Sequence, residues 1–130
     1  MNDLLLDTHV WIWVSIERDR SLSAKARKAL RQARRRWVSV ISCWELAKLV
    51  EKGKISFSIP ALTWIHRSLS EFEITLADLT PEIAVESIEL QGFHRDPADQ
   101  LIVATSRILG IPLVTSDRRM LDYPNVETVW

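Results

Sequence analysis

Five carboxylate residues stand where predicted strands end or predicted helices begin. Two of them, Asp96 and Asp99, lie on either side of Pro97 at the start of a predicted helix. Proline suits the first helical position, so Asp96 is the predicted N-cap and Asp99 the third residue of the first turn. Both acids then lie beside the positive end of the helix dipole, which favours ionised carboxylates. By itself this pattern indicates only a well-capped helix.

The other three acids are far apart in sequence but occupy comparable places. Asp7 ends a short apolar run, and Asp117 follows another one directly. Glu45 stands three residues after Ser42, which is the spacing of a capping box at the start of a helix. Each acid has a structural interpretation that stays open: a turn for Asp7 and Asp117, and a cap for Glu45.

The elements that position these acids alternate along the chain. Apolar and β-branched runs predict strands, and capped amphipathic or apolar segments predict helices. Such alternation is typical of a parallel sheet flanked by helices. The strands are predicted at 3–7, 37–41, 73–76, 111–115 and 126–130, and the helices at 10–14, 24–35, 43–52, 60–69, 81–90 and 97–109.

In a parallel sheet the carboxyl ends of the strands share one edge, and sites form beyond that edge. The five acids are therefore expected to converge there, where they would repel one another unless a cation joined them. Oxygen ligands, with no cysteine or histidine cluster, favour Mg²⁺ or Mn²⁺. Such an ion suits hydrolysis of a phosphodiester, because it activates water and offsets the charge of the phosphate.

The composition limits the possible classes of protein. The 130 residues are expected to form one domain, 1–130, with zero net charge and ordinary hydrophobic content. No apolar run approaches a membrane span, no signal-peptide pattern is present, and Cys43 is alone, so a reduced cytoplasmic protein is expected. Residues 1–54 carry a surplus of positive charge, concentrated between Lys25 and Arg36. That cluster indicates either contact with a polyanion or a solvated helix face.

Several other side chains were assigned lesser roles. Thr115 and Ser116 are expected to hydrogen-bond the acids or a substrate. Trp44, one helical turn before Lys48, is expected to lie in the core or an interface rather than to stack on a nucleic-acid base. The three histidines, His9, His66 and His94, have no zinc-like spacing and are expected to pack or to lie on the surface.

The sequence resembles PIN-domain ribonucleases, specifically VapC-type toxins of toxin–antitoxin pairs. The resemblance rests on four segments in matching order and spacing, which span essentially the whole chain. They are Leu4-Leu5-Leu6-Asp7-Thr8-His9-Val10-Trp11, Ser42-Cys43-Trp44-Glu45-Leu46, His94-Arg95-Asp96-Pro97-Ala98-Asp99-Gln100-Leu101-Ile102-Val103-Ala104 and Leu113-Val114-Thr115-Ser116-Asp117.

The resemblance implies a three-layer α/β/α sandwich with a mainly parallel central sheet. It further implies endonucleolytic cleavage of RNA with Mg²⁺, for which Mn²⁺ can substitute, inhibition by a cognate antitoxin, and a tendency to dimerise. By position, Asp7, Glu45 and Asp99 match the core metal-binding acids of the family and Asp117 matches a fourth. Asp96 matches an Asp-Pro step that many members of the family share, and it is expected to be a helix cap first and an auxiliary residue of the metal site second.

The resemblance also implies roles for two apolar segments and for the basic helix that contains Lys25 and Arg31. Segments 10–14 and 44–50 are expected to form a groove for the antitoxin, and the basic helix is expected to steer RNA.

The main alternative is a PIN-like module that binds nucleic acid or protein without cutting it. A haloacid-dehalogenase-type phosphatase is disfavoured because His9 stands where it would need a second aspartate. A nucleotide-binding protein is disfavoured because three glycines provide no phosphate loop.

Overall fold

The computed structural model describes residues 2–130, which build one five-stranded sheet between two layers of helices. The strands lie in the order β3-β2-β1-β4-β5. The strands are β1 Leu4–Leu6, β2 Arg36–Ser39, β3 Ile74–Ala77, β4 Leu113–Val114 and β5 Thr128–Val129. The helices are α1 Thr8–Ser15, α2 Ala24–Gln32, α3 Val40–Glu51, α4 Ala61–Glu71, α5 Pro81–Glu89, α6 Pro97–Leu109 and α7 Arg118–Leu121.

Every strand pair in the sheet is parallel, as the alternation of elements predicted. The central strand β1 carries Leu5 between Trp37 of β2 and Leu113 of β4. Parallel strands need crossover connections, which the helices supply. The carboxyl ends of β1, β2 and β4 therefore lie side by side at one edge of the sheet. This arrangement confirms the predicted α/β class.

The three layers follow from the alternation of side chains along β1. Leu4 and Leu6 point to one face of the sheet and pack with Trp11 of α1 and Leu46 of α3. Leu5 points to the other face, because successive side chains of a strand alternate, and packs with Ile102 of α6. All six side chains are almost fully buried. Each face of the sheet is thus covered by helices, which confirms the α/β/α sandwich.

Packing also limits the predicted groove. In α1, Val10, Trp11 and Ile12 are buried in the core, and the indole nitrogen of Trp11 donates a 2.8 Å hydrogen bond to Ser68 of α4. These side chains are core residues because α1 is covered by α3 and α4, so the face that they form is not open to a partner.

Among residues 2–130, no helix is long and apolar enough to cross a membrane.

The start of α3 differs from the prediction. The helix begins at Val40, because the hydroxyl of Ser39 accepts the backbone N–H of Ile41 and caps it. Ser42 is therefore inside the helix and buried, and the predicted capping box of Ser42 and Glu45 is wrong. β2 ends correspondingly earlier, at Ser39, because the capping hydroxyl stops the strand there.

Two acids cap helices that the sequence did not assign to them. Asp7, rather than Thr8, is the N-cap of α1, and its carboxylate accepts the backbone N–H of Thr8. Asp117 is the N-cap of α7, a one-turn helix that was not predicted, and accepts the backbone N–H of Arg119. Both acids leave a parallel strand and enter a helix at the same edge of the sheet.

Candidate functional site

The structure brings the five predicted acids to one edge of the sheet. Asp7 follows β1, Asp117 follows β4, Glu45 lies in the second turn of α3, and Asp96 and Asp99 open α6. The four other carboxylates all act electrostatically on Asp99, which places Asp99 among them. Residues separated by up to 110 positions thus form one cluster, which we call the acid cluster (Asp7, Glu45, Asp96, Asp99 and Asp117).

Asp7 is held by hydrogen bonds on both carboxylate oxygens. Oδ1 accepts the backbone N–H of Thr8 at 2.8 Å, and Oδ2 accepts the hydroxyl of Thr115 at 2.8 Å. The same Thr115 oxygen accepts the backbone N–H of Asp117 at 3.0 Å. Burial nevertheless raises the pKa of Asp7, against the effect of these hydrogen bonds. Thr115 therefore joins two acids of the cluster, in the role predicted for it.

Glu45 is positioned by the first residue of α1. The hydroxyl of Thr8 donates to Oε1 of Glu45 at 2.6 Å, and its oxygen also lies 2.8 Å from Oγ of Ser42. Ser42 and Glu45 are three residues apart in α3 and hence share a face of the helix. Burial, followed by the charges of Asp7 and Asp96, raises the pKa of Glu45. The early start of α3 is what turns both side chains towards α1.

Asp99 is the most perturbed member of the cluster. Its side chain is buried, and its pKa is raised to about 7, first by burial and then by the charges of Asp96, Asp7, Glu45 and Asp117. A carboxyl group with this pKa is partly protonated near neutral pH. A positive charge placed among the acids would lower that pKa again.

Asp96 has the geometry of a helix cap. Its Oδ1 accepts the backbone N–H of Asp99 at 3.1 Å, and Pro97 occupies the first position of α6. The side chain is exposed to solvent, unlike that of Asp99. Its charge is nonetheless the largest electrostatic influence on the pKa of Asp99.

Arg119 is a site residue that sequence reasoning missed. Its Nη2 lies 3.0 Å from Oδ2 of Asp117 and 3.3 Å from Oδ2 of Asp99, so it bridges the two acids. The hydrogen bond from Arg119 lowers the pKa of Asp117. A basic residue two positions after Asp117 was the available signal, but it became informative only once α7 was known.

His94 is the second missed neighbour. Its Nε2 lies 3.2 Å from Oδ2 of Asp99. Its Nδ1 is 3.4 Å from the backbone nitrogen of Asp96, which donates to it. Burial, followed by the charge of Arg119, lowers the pKa of His94 and keeps the imidazole neutral near pH 7. His94 is thus a packing residue of the acid cluster rather than an isolated surface side chain.

The donor set of the cluster suits a hard divalent cation. Its ligand atoms would be carboxylate oxygens, which Mg²⁺ and Mn²⁺ prefer. The pKa of Asp99 is raised first by burial and then by neighbouring negative charge, and such an ion would offset that charge. Among residues 2–130, no three Asp, Glu, His or Cys side chains already stand in a ligand geometry. Arg119 contacts Oδ2 of both Asp99 and Asp117, so an ion that binds these oxygens must displace it. Thr8 and Thr115 each donate to a single carboxylate oxygen, of Glu45 and Asp7 respectively, and can stay in place.

The basic cluster of the sequence is divided in the structure. Arg34 to Arg36 precede and begin β2, at the edge of the sheet opposite the acid cluster. Arg34 pairs there with Asp3 at 2.9 Å, and Arg36 donates to the carbonyls of Leu30 and Phe72. This part of the cluster has structural partners, so steering of RNA by the basic helix stays a prediction for the remaining residues of α2.

The raised pKa of Asp99 predicts how stability depends on pH in the absence of metal. The folded state binds the Asp99 proton more tightly than the unfolded state, so this group makes the free energy of unfolding fall as pH rises to about 7 and leaves it level above. In EDTA, Asp99→Asn should melt at a higher temperature than the parent at about pH 8, and the difference should shrink towards about pH 5. Thermal melting by circular dichroism measures it. A difference that grows as pH falls would contradict the assignment.

Asp96 can be tested as a cap separately from its charge. Asparagine caps helices as well as aspartate does, whereas alanine costs about 1 kcal/mol. Asp96→Asn should therefore keep the stability of the parent, and Asp96→Ala should lose about 1 kcal/mol in denaturant unfolding. If Asp96 were a required ligand, Asp96→Asn would instead lose Mn²⁺ binding as completely as Asp7→Asn does in calorimetric titration.

Arg119 should compete with a metal ion for Asp99 and Asp117. Its side chain is 58% exposed, and exposed ion pairs are worth up to about 1 kcal/mol, or about fivefold in affinity. Arg119→Met should therefore tighten Mn²⁺ binding by up to about fivefold in calorimetric titration. Arg118→Met is the matched control, because among residues 2–130 Arg118 pairs with Asp122, just after α7, and with no member of the acid cluster. Weaker binding by Arg119→Met alone would show that Arg119 supports the ion.

Comparisons with known proteins agree with this geometry. Residues 4–126 match the model of the PIN domain family. Ribonuclease VapC22 of Mycobacterium tuberculosis (strain ATCC 25618 / H37Rv) is 41% identical over 133 residues, which cover the full length of both chains.

Solved structures have the same fold at low sequence identity. A chain in the crystal structure of VapBC2 from Rickettsia felis, bound to a promoter DNA fragment, superimposes with a TM-score of 0.70 at 16% identity, over 97% of this chain and 96% of that one. VapBC-5 from Mycobacterium tuberculosis, of the VapBC family of toxin–antitoxin systems, gives a TM-score of 0.62 at 18% identity, over 98% of both chains. The chain therefore belongs to the PIN-domain family and, within it, to the VapC-type proteins.

Proposed function

We propose that this chain is the toxin of a toxin–antitoxin pair, an endoribonuclease that hydrolyses RNA phosphodiester bonds at the acid cluster. The observation that carries the proposal is the convergence of Asp99 and four other carboxylates at one edge of the sheet; burial, followed by the charges of those four, raises the pKa of Asp99 to about 7. The chain is 41% identical to a ribonuclease over its full length, and PIN-domain ribonucleases depend on a metal. We assign Mg²⁺ as the ion, with Mn²⁺ as a substitute, because the available donors are carboxylate oxygens.

In this proposal Asp7, Glu45 and Asp99 hold the ion, directly or through water, and Asp117 completes the site. When bound, the ion supplies Lewis-acid activation of water and neutralises charge on the phosphate. The chain's own contribution is to fix the carboxylates before the substrate arrives. Thr115 fixes the carboxylate of Asp7 from β4, and Thr8 fixes that of Glu45.

Protons and a cation compete for the acids of the cluster. Burial raises the pKa of Asp7, Glu45 and Asp99, so an empty cluster tends to take up protons. A divalent ion displaces those protons, and its binding is therefore expected to strengthen with pH. Arg119 provides a partial positive substitute for the ion at Asp99 and Asp117.

The remaining parts of the proposal concern partners and place. A cognate antitoxin is proposed as protein partner, since VapBC-5 belongs to a family of toxin–antitoxin systems. We also propose a homodimer or a toxin–antitoxin hetero-oligomer, one functional domain over residues 1–130 and a cytoplasmic location. A PIN-like module that binds RNA or protein without cutting it is the alternative, and the following experiment distinguishes the two.

Asp7→Asn should abolish cleavage and leave the fold intact. Asparagine can still accept the Thr8 N–H, and removal of a buried charge should not lower stability. Residues that merely orient a metal ligand are worth about 10- to 100-fold, so loss of a ligand charge should cost at least about 100-fold. The measurement is cleavage of a mixed pool of structured RNA by antitoxin-free protein with Mg²⁺, with Mn²⁺ and with EDTA.

Asp3→Asn is the matched control, since Asp3 flanks the same strand at the opposite edge of the sheet and pairs with Arg34. It should cleave like the parent. Metal-dependent cleavage that survives Asp7→Asn would overturn the assigned mechanism. Absence of cleavage by the folded parent under every metal would favour the binding module.

A further inference from the structure

A cleft borders the acid cluster and is lined by positive as well as negative side chains. It encloses about 260 Å³, and Glu45 and Asp96 of the acid cluster are among its lining residues. Trp44 and three lysines, Lys48, Lys52 and Lys54, also line it. Leu49, Pro97 and Ala98 complete the lining. We call this the Trp44 cleft.

The side chain of Trp44 is exposed to solvent. It retains 55% of its accessible surface, although it lies in α3 between the buried residues Ser42 and Leu46. The core, one of the two places expected for Trp44, is therefore wrong, because α3 turns Leu46 rather than Trp44 towards the sheet. Its expected place in an interface stays a prediction. An exposed large aromatic side chain beside a functional site is typical of a binding surface.

The lysines continue the surface that Trp44 begins. Lys48 and Lys52 follow Trp44 at intervals of four residues, so the three lie along one face of the helix. Nζ of Lys48 is 5.9 Å from the centre of the Trp44 ring. Lys48 pairs with Glu51 at 3.3 Å on the solvent side, whereas Lys52 and Lys54 are exposed. The result is an aromatic platform next to a row of positive charges.

We propose that the Trp44 cleft binds single-stranded RNA next to the bond to be cut, with one base stacked on Trp44 and the adjoining phosphates on the lysines. The inference rests on the proposed ribonuclease function. An acid cluster repels a polyanion, so a substrate phosphate that reaches it needs attractive contacts close by. Aromatic stacking and a positively charged groove are the two features by which proteins hold single strands.

The residues that line the Trp44 cleft favour RNA over a peptide segment as its ligand. The exposed indole of Trp44 is the one aromatic ring in its lining, and Leu49, Pro97 and the buried Ala98 are its other apolar residues. An amphipathic helix or strand needs a longer row of exposed apolar side chains. The charges other than those of the acid cluster are all positive among the lining residues, which suits phosphates.

Binding measured without cleavage tests the inference. The protein, in EDTA so that the probe stays intact, is titrated into a short fluorescein-labelled oligoadenylate and into an abasic oligonucleotide of the same length. Stacking is worth about 1–3 kcal/mol per base, so Trp44→Ala should weaken binding of the oligoadenylate about 5- to 150-fold. Trp44→Phe should recover most of that loss. The parent and Trp44→Ala should bind the abasic strand equally, because no base is left to stack.

The lysines are tested through the salt dependence of the same titration. Lys48→Ala should lower the slope of log affinity against log salt by about 0.7, the value for one phosphate contact to a single strand. Ile88→Ala and Arg67→Ala are the controls for an exposed apolar and an exposed basic side chain outside the cleft, and both should bind like the parent.

Two outcomes would overturn the inference. One is a Trp44→Ala variant that binds oligoadenylate as tightly as the parent or loses affinity equally for the abasic strand. The other is unchanged RNA binding with weakened capture of the purified cognate antitoxin, which would assign the cleft to the protein partner. Neither depends on turnover, so failure of the cleft is distinguishable from failure of the nuclease, which is absence of metal-dependent cleavage by the parent.

Discussion

The mutual repulsion of carboxylates held at one sheet edge is the constraint around which the site is built. Asp99 is buried near four other acids, and its pKa near 7 measures the cost of that arrangement. The rest of the fold resists this repulsion through fixed positions: β1 and β4 are hydrogen-bonded neighbours, and Thr115 ties the acid after one strand to the acid after the other. Relief by a cation is therefore available only at the place where the acids meet.

Two features of the chain already reduce the repulsion among the carboxylates in part. Arg119 bridges Asp99 and Asp117, and partial protonation of Asp99 removes charge directly. Both are weaker than a divalent ion, since the guanidinium is largely exposed and the protons are lost as pH rises. A site of this kind stays foldable without metal and yet retains affinity for it. That combination suits a protein whose activity must wait for substrate and for release from a partner.

The fold and the acid cluster were predictable to a large extent, for a physical reason. Strand-helix alternation dictates a parallel sheet, and a parallel sheet dictates that residues after its strands converge, so Asp7, Asp99 and Asp117 could be brought together without coordinates. Details that depend on which of several polar side chains caps a helix were not predictable. Ser39 and Ser42 are equally good caps locally, and only the packing of α3 against α1 and the sheet decides between them.

The same ambiguity explains why the sequence did not show that Trp44 is exposed. A helix that began at Ser42 would place Trp44 and Glu45 in a capped first turn, where neither position says which way the tryptophan faces. In the helix that begins at Val40, Leu46 and Ser42 take the buried face, Glu45 turns to Thr8, and Trp44 with Lys48 is left at the surface. The start of α3 at Val40 thus places Glu45 in the acid cluster and also leaves Trp44 exposed beside it. Glu45 of the acid cluster and the exposed Trp44 are adjacent in sequence and fixed by the same helix, so a shift of α3 would displace both together.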